Sequence, residues 1–147
     1  MAFTTRRSTL KISGVFIRFA AAYIGLVVVV LVGFGLAGVQ PNSGVNAGVL
    51  IGAAWWSCLA FGEKNARYFT SAEKTRVVWG MVTIDLLIQL AVAIPLLGSA
   101  GAFPVGALLT GVAFVMALHA IGIYFTVGYA GKIFAKQQAK KLAKAGA

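Results

Sequence analysis

Two long tracts almost free of charge set the pattern of the chain: residues 19–62 carry no charged side chain, and residues 77–131 carry one, Asp85. A helix rising ~1.5 Å per residue crosses a hydrocarbon core of roughly 30 Å in about 20 residues, so each tract holds two crossings and a turn. The first divides at Val39, Gln40, Pro41, Asn42 and Ser43, whose turn chemistry separates residues 19–38 from 44–62. The second divides at the Gly-Ser-Ala-Gly-Ala-Phe-Pro stretch of residues 98–104, which separates 77–97 from 105–131. Lipid-facing backbone must satisfy its own hydrogen bonds, and the runs lack the alternation of barrel strands. The pattern therefore predicts an all-α membrane protein: four transmembrane helices in an antiparallel bundle, forming one integral domain over residues 1–147.

Charge fixes the expected orientation. Arg6, Arg7, Lys11 and Arg18 precede the first span; Lys64, Arg67, Lys74 and Arg76 lie in loop 63–76; Lys132, Lys136, Lys140, Lys141 and Lys144 lie in tail 132–147. The other two connections carry no basic residue, so the positive-inside rule places both termini and the middle loop in the cytoplasm. That role explains the net charge of +10 without nucleic acid, and no aromatic stacking platform accompanies the lysines. A composition 60% hydrophobic and 11% charged, with a mean hydropathy of +0.90, excludes an ordinary soluble domain. The single Cys58 excludes a disulfide framework, and no metal or cofactor set is expected. Thr5-Arg6-Arg7-Ser8 looks like a twin-arginine export signal, but the apolar run that follows is too long for one and leads into more membrane, so an uncleaved signal anchor is expected.

Helices in lipid are joined by small residues and polar contacts rather than by hydrophobicity. Gly44, Gly48 and Gly52 recur at four-residue steps on one helix face that continues to Trp56, reading as a seam within the bundle or as a dimer interface. In the middle loop, Thr70 and Glu73 have capping-box spacing, so the third helix is expected to begin in the cytoplasm and enter the membrane near Trp79. The second helix can continue outward, which would make Glu63 and Arg67 an i,i+4 pair. Glu63, Arg67 and Glu73 are accordingly the candidate cytoplasmic contact residues. On a helix, Lys132, Lys136, Lys140 and Lys144 form a basic stripe that can hold anionic lipid headgroups or an acidic partner.

Ionisable groups inside a membrane are candidates for chemistry. Asp85 lies about 12 Å into the third span and His119 about 18 Å from the same side of the fourth, so the two can meet, with Gln89 one turn beyond Asp85. A touching pair can bind or relay a proton. The alternatives are a hydrogen-bonded structural pair, or an Asp85 that reaches toward the cytoplasm or meets Arg76 or Arg18. Enzyme chemistry is not expected: Ser57 and Cys58 lack a nucleophile elbow, and the glycines at 33, 35 and 38 lack the lysine of a phosphate loop.

Asn46-Ala-Gly-Val-Leu-Ile-Gly-Ala, Glu63 with Arg67, Phe69-Thr70 and Glu73-Lys74, Trp79-Gly80, and Gly128-Tyr129 with Lys132 and Ala135-Lys136-Gln137 together resemble the ABZJ family of small bacterial membrane proteins. The resemblance implies a bacterial inner-membrane protein of four helices; it carries over no catalytic or ligand residue, and Asp85 and His119 lie outside the matching segments. The function expected first is an interaction protein, either an accessory subunit of a membrane complex or an immunity protein against a membrane-acting toxin, or a homo-oligomer. A small-solute or proton carrier using Asp85, Gln89 and His119 is the second, and a membrane enzyme the third.

Overall fold

The computed structural model of the chain describes residues 10–39, 42–99 and 105–145. Arg6 and Arg7, Gln40 and Pro41 of the first expected turn, and residues 100–104 of the second lie outside the described residues. Four α-helices are present, with no strand among the described residues: α1 Ile12–Ala37, α2 Ser43–Asn65, α3 Ser71–Ser99 and α4 Val105–Ala145. Three of them, α1, α2 and α4, are long and apolar enough to cross a membrane.

Local chemistry sets where the helices end. The N–H groups of Gly38, in the left-handed conformation at φ 64°, and of Val39 bond back to the carbonyls of Gly35 and Phe34 and close α1. The Asn42 side chain accepts from the N–H of Val45 at 3.1 Å and opens α2. Thr70 and Glu73 form a reciprocal capping box at the start of α3, with distances of 2.9 and 3.3 Å.

Two expected features of the basic segments are replaced. α2 stops at Asn65 because Ala66 turns the chain at φ 53°, so Arg67 leaves the helix and no Glu63–Arg67 helical pair forms. Arg67 instead grips both Glu73 oxygens at 2.7 and 2.8 Å. A positive φ costs an alanine about 1 kcal/mol. Contacts on both sides of Ala66 offset it. The Asn65 side chain bonds the backbone N–H and carbonyl of Leu10, each at 3.1 Å. After the turn, Phe69 stacks on Phe61 at 4.2 Å, Tyr68 stacks on Phe134 at 6.0 Å, and the Tyr68 hydroxyl donates to the carbonyl of Val127 at 2.6 Å. The tail is not separate from the last span either. α4 runs unbroken for 41 residues, about 60 Å at helical rise, so Lys132, Lys136, Lys140 and Lys144 ride on an exposed extension of the same helix.

The helices run alternately up and down, but their neighbours are not those of a simple antiparallel ring. α1 packs on α2 and α3, and α4 packs on the same two. Thus α1 and α3 are parallel neighbours, with Phe16 against Gly80 and Tyr23 against Asp85, and α2 and α4 are parallel neighbours, with Gly62 against Phe134. Among the described residues the basic segments (the start of α1, loop 66–70 with the first turn of α3, and the far part of α4) meet at one end. The core sits toward this basic end as layers spaced by a helical turn: Val15, Phe19 and Tyr23 on α1; Phe61, Cys58, Ala54 and Leu50 on α2; Val77, Met81 and Asp85 on α3; Phe134, Ala130, Val127, Ile123 and His119 on α4. Outside the core the surface is apolar. Val29, Leu36 and Phe125 are 67%, 87% and 68% exposed, which suits hydrocarbon and not water.

Candidate polar site within the bundle

Each buried stripe ends, one turn from the last core layer, on a polar side chain. Tyr23 of α1, Asn46 of α2, Asp85 of α3 and His119 of α4 therefore arrive at one level, and Gln89 joins them one turn above Asp85. Asp85 is fully buried and is the hub. Its Oδ1 accepts from the Tyr23 hydroxyl at 2.9 Å; its Oδ2 accepts from the Gln89 amide at 2.8 Å and lies 2.8 Å from His119 Nδ1. The Gln89 amide nitrogen is also 3.0 Å from His119 Nδ1 and 3.5 Å from Met116 Sδ. Tyr23 lies 3.2 Å from the Asn46 side-chain amide. Since the hydroxyl has one proton and the carboxylate is the stronger acceptor, Tyr23 donates to Asp85, and the Asn46 Oδ1 stands beside it as the alternative acceptor.

One proton lies between Asp85 Oδ2 and His119 Nδ1. Without it, two lone pairs would face each other at 2.8 Å; with two, two donors would. The Tyr23 hydroxyl and the Gln89 amide hold the carboxylate in place around it. Among the described residues no buried side-chain nitrogen or oxygen lacks a partner. His119 also borders a cleft of about 270 Å³ between α2 and α4, shared with Gly44, Leu50 and Gly122. Asp85 meets neither arginine considered for it: Arg18 lies over the Trp56 ring at 6.0 Å, and among the described residues the only carboxylate that an arginine grips is Glu73. No family model, curated protein or solved structure matches the chain.

The structure brings together Asp85, Gln89 and His119, the three residues expected from the sequence. Tyr23 and Asn46 join them unexpected, because neutral side chains carry no charge to mark them within an apolar run. Their signal was the four-residue step: Tyr23 continues Val15 and Phe19, and Asn46 continues Ala54 and Leu50.

The glycine face lies elsewhere. An added Cβ at Gly48 or Gly52 would meet nothing within 4 Å, and Trp56 is 54% exposed. Gly44, Gly48, Gly52 and Trp56 are therefore not the seam of this bundle. The close approaches are made at other glycines: a Cβ at Gly62 would lie 2.7 Å from Phe134, and one at Gly131 2.7 Å from Tyr68. Beside Gly52 and Trp56 a groove of about 550 Å³ runs between α1 and α2, bordered by Ile17, Ala21 and Leu26.

Glu63, on the last turn of α2, is exposed, and Arg67 of the loop and Glu73 of α3 are occupied with each other. The hydrogen bond from Arg67 holds the Glu73 carboxyl down at about 2, and the same bond raises the Arg67 guanidinium. Because the folded value of Glu73 is the lower one, its contribution is complete above the ordinary carboxylate range and fades only as the pH falls toward 2. Burial pushes the Tyr68 phenol up, so it remains a donor to Val127 throughout the physiological range. Ser57 spends its hydroxyl on the Ala53 carbonyl at 2.7 Å, and Cys58 is buried beside it.

Proposed function

We propose that the chain is a bacterial inner-membrane protein that crosses the bilayer four times, with its ends and the 66–70 loop in the cytoplasm, and that works through protein contacts within the membrane. An accessory subunit of a membrane complex and an immunity protein against a membrane-acting toxin are the two forms of this reading. The third segment, residues 77–97, supports a fourth span, with Asp85 its only charge and that charge satisfied inside the bundle. Positive charge gathered at one end of the bundle supports the orientation.

The observation that carries the contact function is the unfilled glycine face. Glycine costs a helix about 1 kcal/mol relative to alanine, and a side chain at Gly48 or Gly52 would meet nothing among the described residues. A second transmembrane helix lying along α2 would use that cost, its backbone approaching at the glycines and its side chains entering the groove beside Trp56. Gly48→Leu with Gly52→Leu is expected to abolish assembly, read by size and by copurification in mild detergent, while the monomer stays folded. If the doubly substituted chain forms the same assembly as the parent, the glycine face is not the contact.

A second reading, a proton carrier, is favoured by one feature: the proton held between Asp85 and His119 borders an open cleft. In sealed vesicles carrying the purified chain and a pH dye inside, this reading expects proton-linked flux that Asp85→Asn removes. Absence of flux in the parent chain excludes it.

A further inference from the structure

The chain is short of counter-charge. Thirteen lysines and arginines share three acids, Glu63, Glu73 and Asp85, and two of these are engaged, Glu73 by Arg67 and Asp85 by His119. Anions from outside must balance most of the basic end.

Lys74 stands where such an anion can be held. It lies on the first turn of α3 with its ammonium 4.6 Å from the centroid of the Tyr124 ring on α4. An added Cβ at Gly128 would come within 3.2 Å of that ammonium, so the glycine leaves the lysine room to lie across α4. Neither Lys74 nor Lys132 pairs with a carboxylate among the described residues. Two outward hollows of about 560 and 420 Å³ adjoin at Lys74, Tyr124 and Phe125; the first extends over Trp79 and Ile121, the second reaches Lys132. Their order along the bundle is cationic at the basic end, then aromatic at Tyr124 and Phe125, then apolar over Trp79 and Ile121. Phosphate, glycerol and acyl chain follow one another in the same order in a phospholipid.

We propose that this α3/α4 groove binds one anionic phospholipid, its phosphate held between Lys74 and Lys132 and its chains lying over Trp79, Ile121 and Phe125. The site rests on the membrane reading above and is distinct from the stripe on the extension of α4, of which it uses only Lys132. Cation–π contact with Tyr124 holds the Lys74 ammonium at the groove, where a lipid phosphate can bridge to it.

Trp79 makes the groove observable. In the full chain with Trp55→Phe and Trp56→Phe, Trp79 is the sole tryptophan. Reconstituted into vesicles of phosphatidylcholine with either brominated phosphatidylglycerol or brominated phosphatidylcholine, its quenching reports which lipid occupies the groove. Phosphatidylglycerol is expected to be preferred by about fivefold for each lysine engaged. Lys74→Gln with Lys132→Gln should bring the two lipids to near parity. Lys141→Gln with Lys144→Gln removes the same charge away from the groove and should leave the preference in place. Equal quenching by both lipids in the parent overturns the proposal. So does an equal fall with either lysine pair, which would mark a diffuse effect of net charge. Failure of the membrane reading looks different: neither brominated lipid would quench Trp79.

Discussion

Asp85→Leu is expected to destabilise the bundle by about 3 kcal/mol, and Asp85→Asn by only about 1 kcal/mol. Leucine removes the hub and strands three groups at once: the Tyr23 hydroxyl, the Gln89 amide and His119 Nδ1. Each group left unpaired in an apolar interior costs about 1–3 kcal/mol. Two relieve one another in part, because Gln89 already lies 3.0 Å from His119, and Tyr23 falls back on Asn46 at 3.2 Å. That partial relief keeps the sum near 3 kcal/mol, and single hydrogen bonds between membrane helices average only about 0.6 kcal/mol because the unfolded state in the membrane also finds partners. Asparagine keeps an acceptor for Tyr23 and offers a donor to His119, losing chiefly the bond from Gln89. Asp85→Leu combined with His119→Leu should be more stable than Asp85→Leu alone, since removing both partners leaves less unpaired than removing one. Equilibrium unfolding in mixed detergent micelles measures these three variants, His119→Leu alone and the parent. Additive single effects would show that the pair is not coupled.

Gly131→Val is expected to cost about 2 kcal/mol, whereas Gly52→Ala should stabilise the isolated chain by about 0.5–1 kcal/mol. The difference lies in what a side chain meets. At Gly131 the new Cβ would sit 2.7 Å from the Tyr68 ring, and that ring cannot swing away without breaking the 2.6 Å bond to Val127 and its stacking on Phe134. Displacing Tyr68 also loosens Phe69 from Phe61 and so releases the loop that carries the Arg67–Glu73 pair. At Gly52 the added methyl enters open space, and only the gain in helix propensity remains. The same unfolding assay reads both, and protease nicking at the 66–70 loop should rise in Gly131→Val alone. Equal tolerance at the two positions would contradict the aromatic clasp.

Hydropathy made the helices legible because lipid imposes one demand along a whole span: apolar side chains and self-satisfied backbone. It located the α2-to-α3 region correctly but not its turn, since Ala66 at positive φ is held by Asn65, Arg67 and Tyr68 acting from both sides, and no glycine marks the place. Depth arithmetic was enough to pair Asp85 with His119, because α3 and α4 are joined by a short connection and rise at the same rate. Glycine spacing left open which surface the face serves. Gly44, Gly48 and Gly52 show that a helix can be approached, but the pattern carries no information on whether the approaching surface belongs to the same chain. The actual seams run at Gly62, Gly80 and Gly131, which stand singly opposite aromatic rings and form no repeat.

Membrane sidedness underlies the rest, because the polar cluster, the open α2 face and the lipid groove all presuppose hydrocarbon around the bundle and cytoplasm at its basic end. Fusions of alkaline phosphatase after Asn42 and after Ser99, with a fluorescent protein after Arg67 and after Lys144, test it in one set of cells. Phosphatase activity is expected at both of the first two sites and fluorescence at both of the last two. Fluorescence from a fusion after Asn42 or Ser99, without phosphatase activity there, would contradict four crossings with the basic end inside.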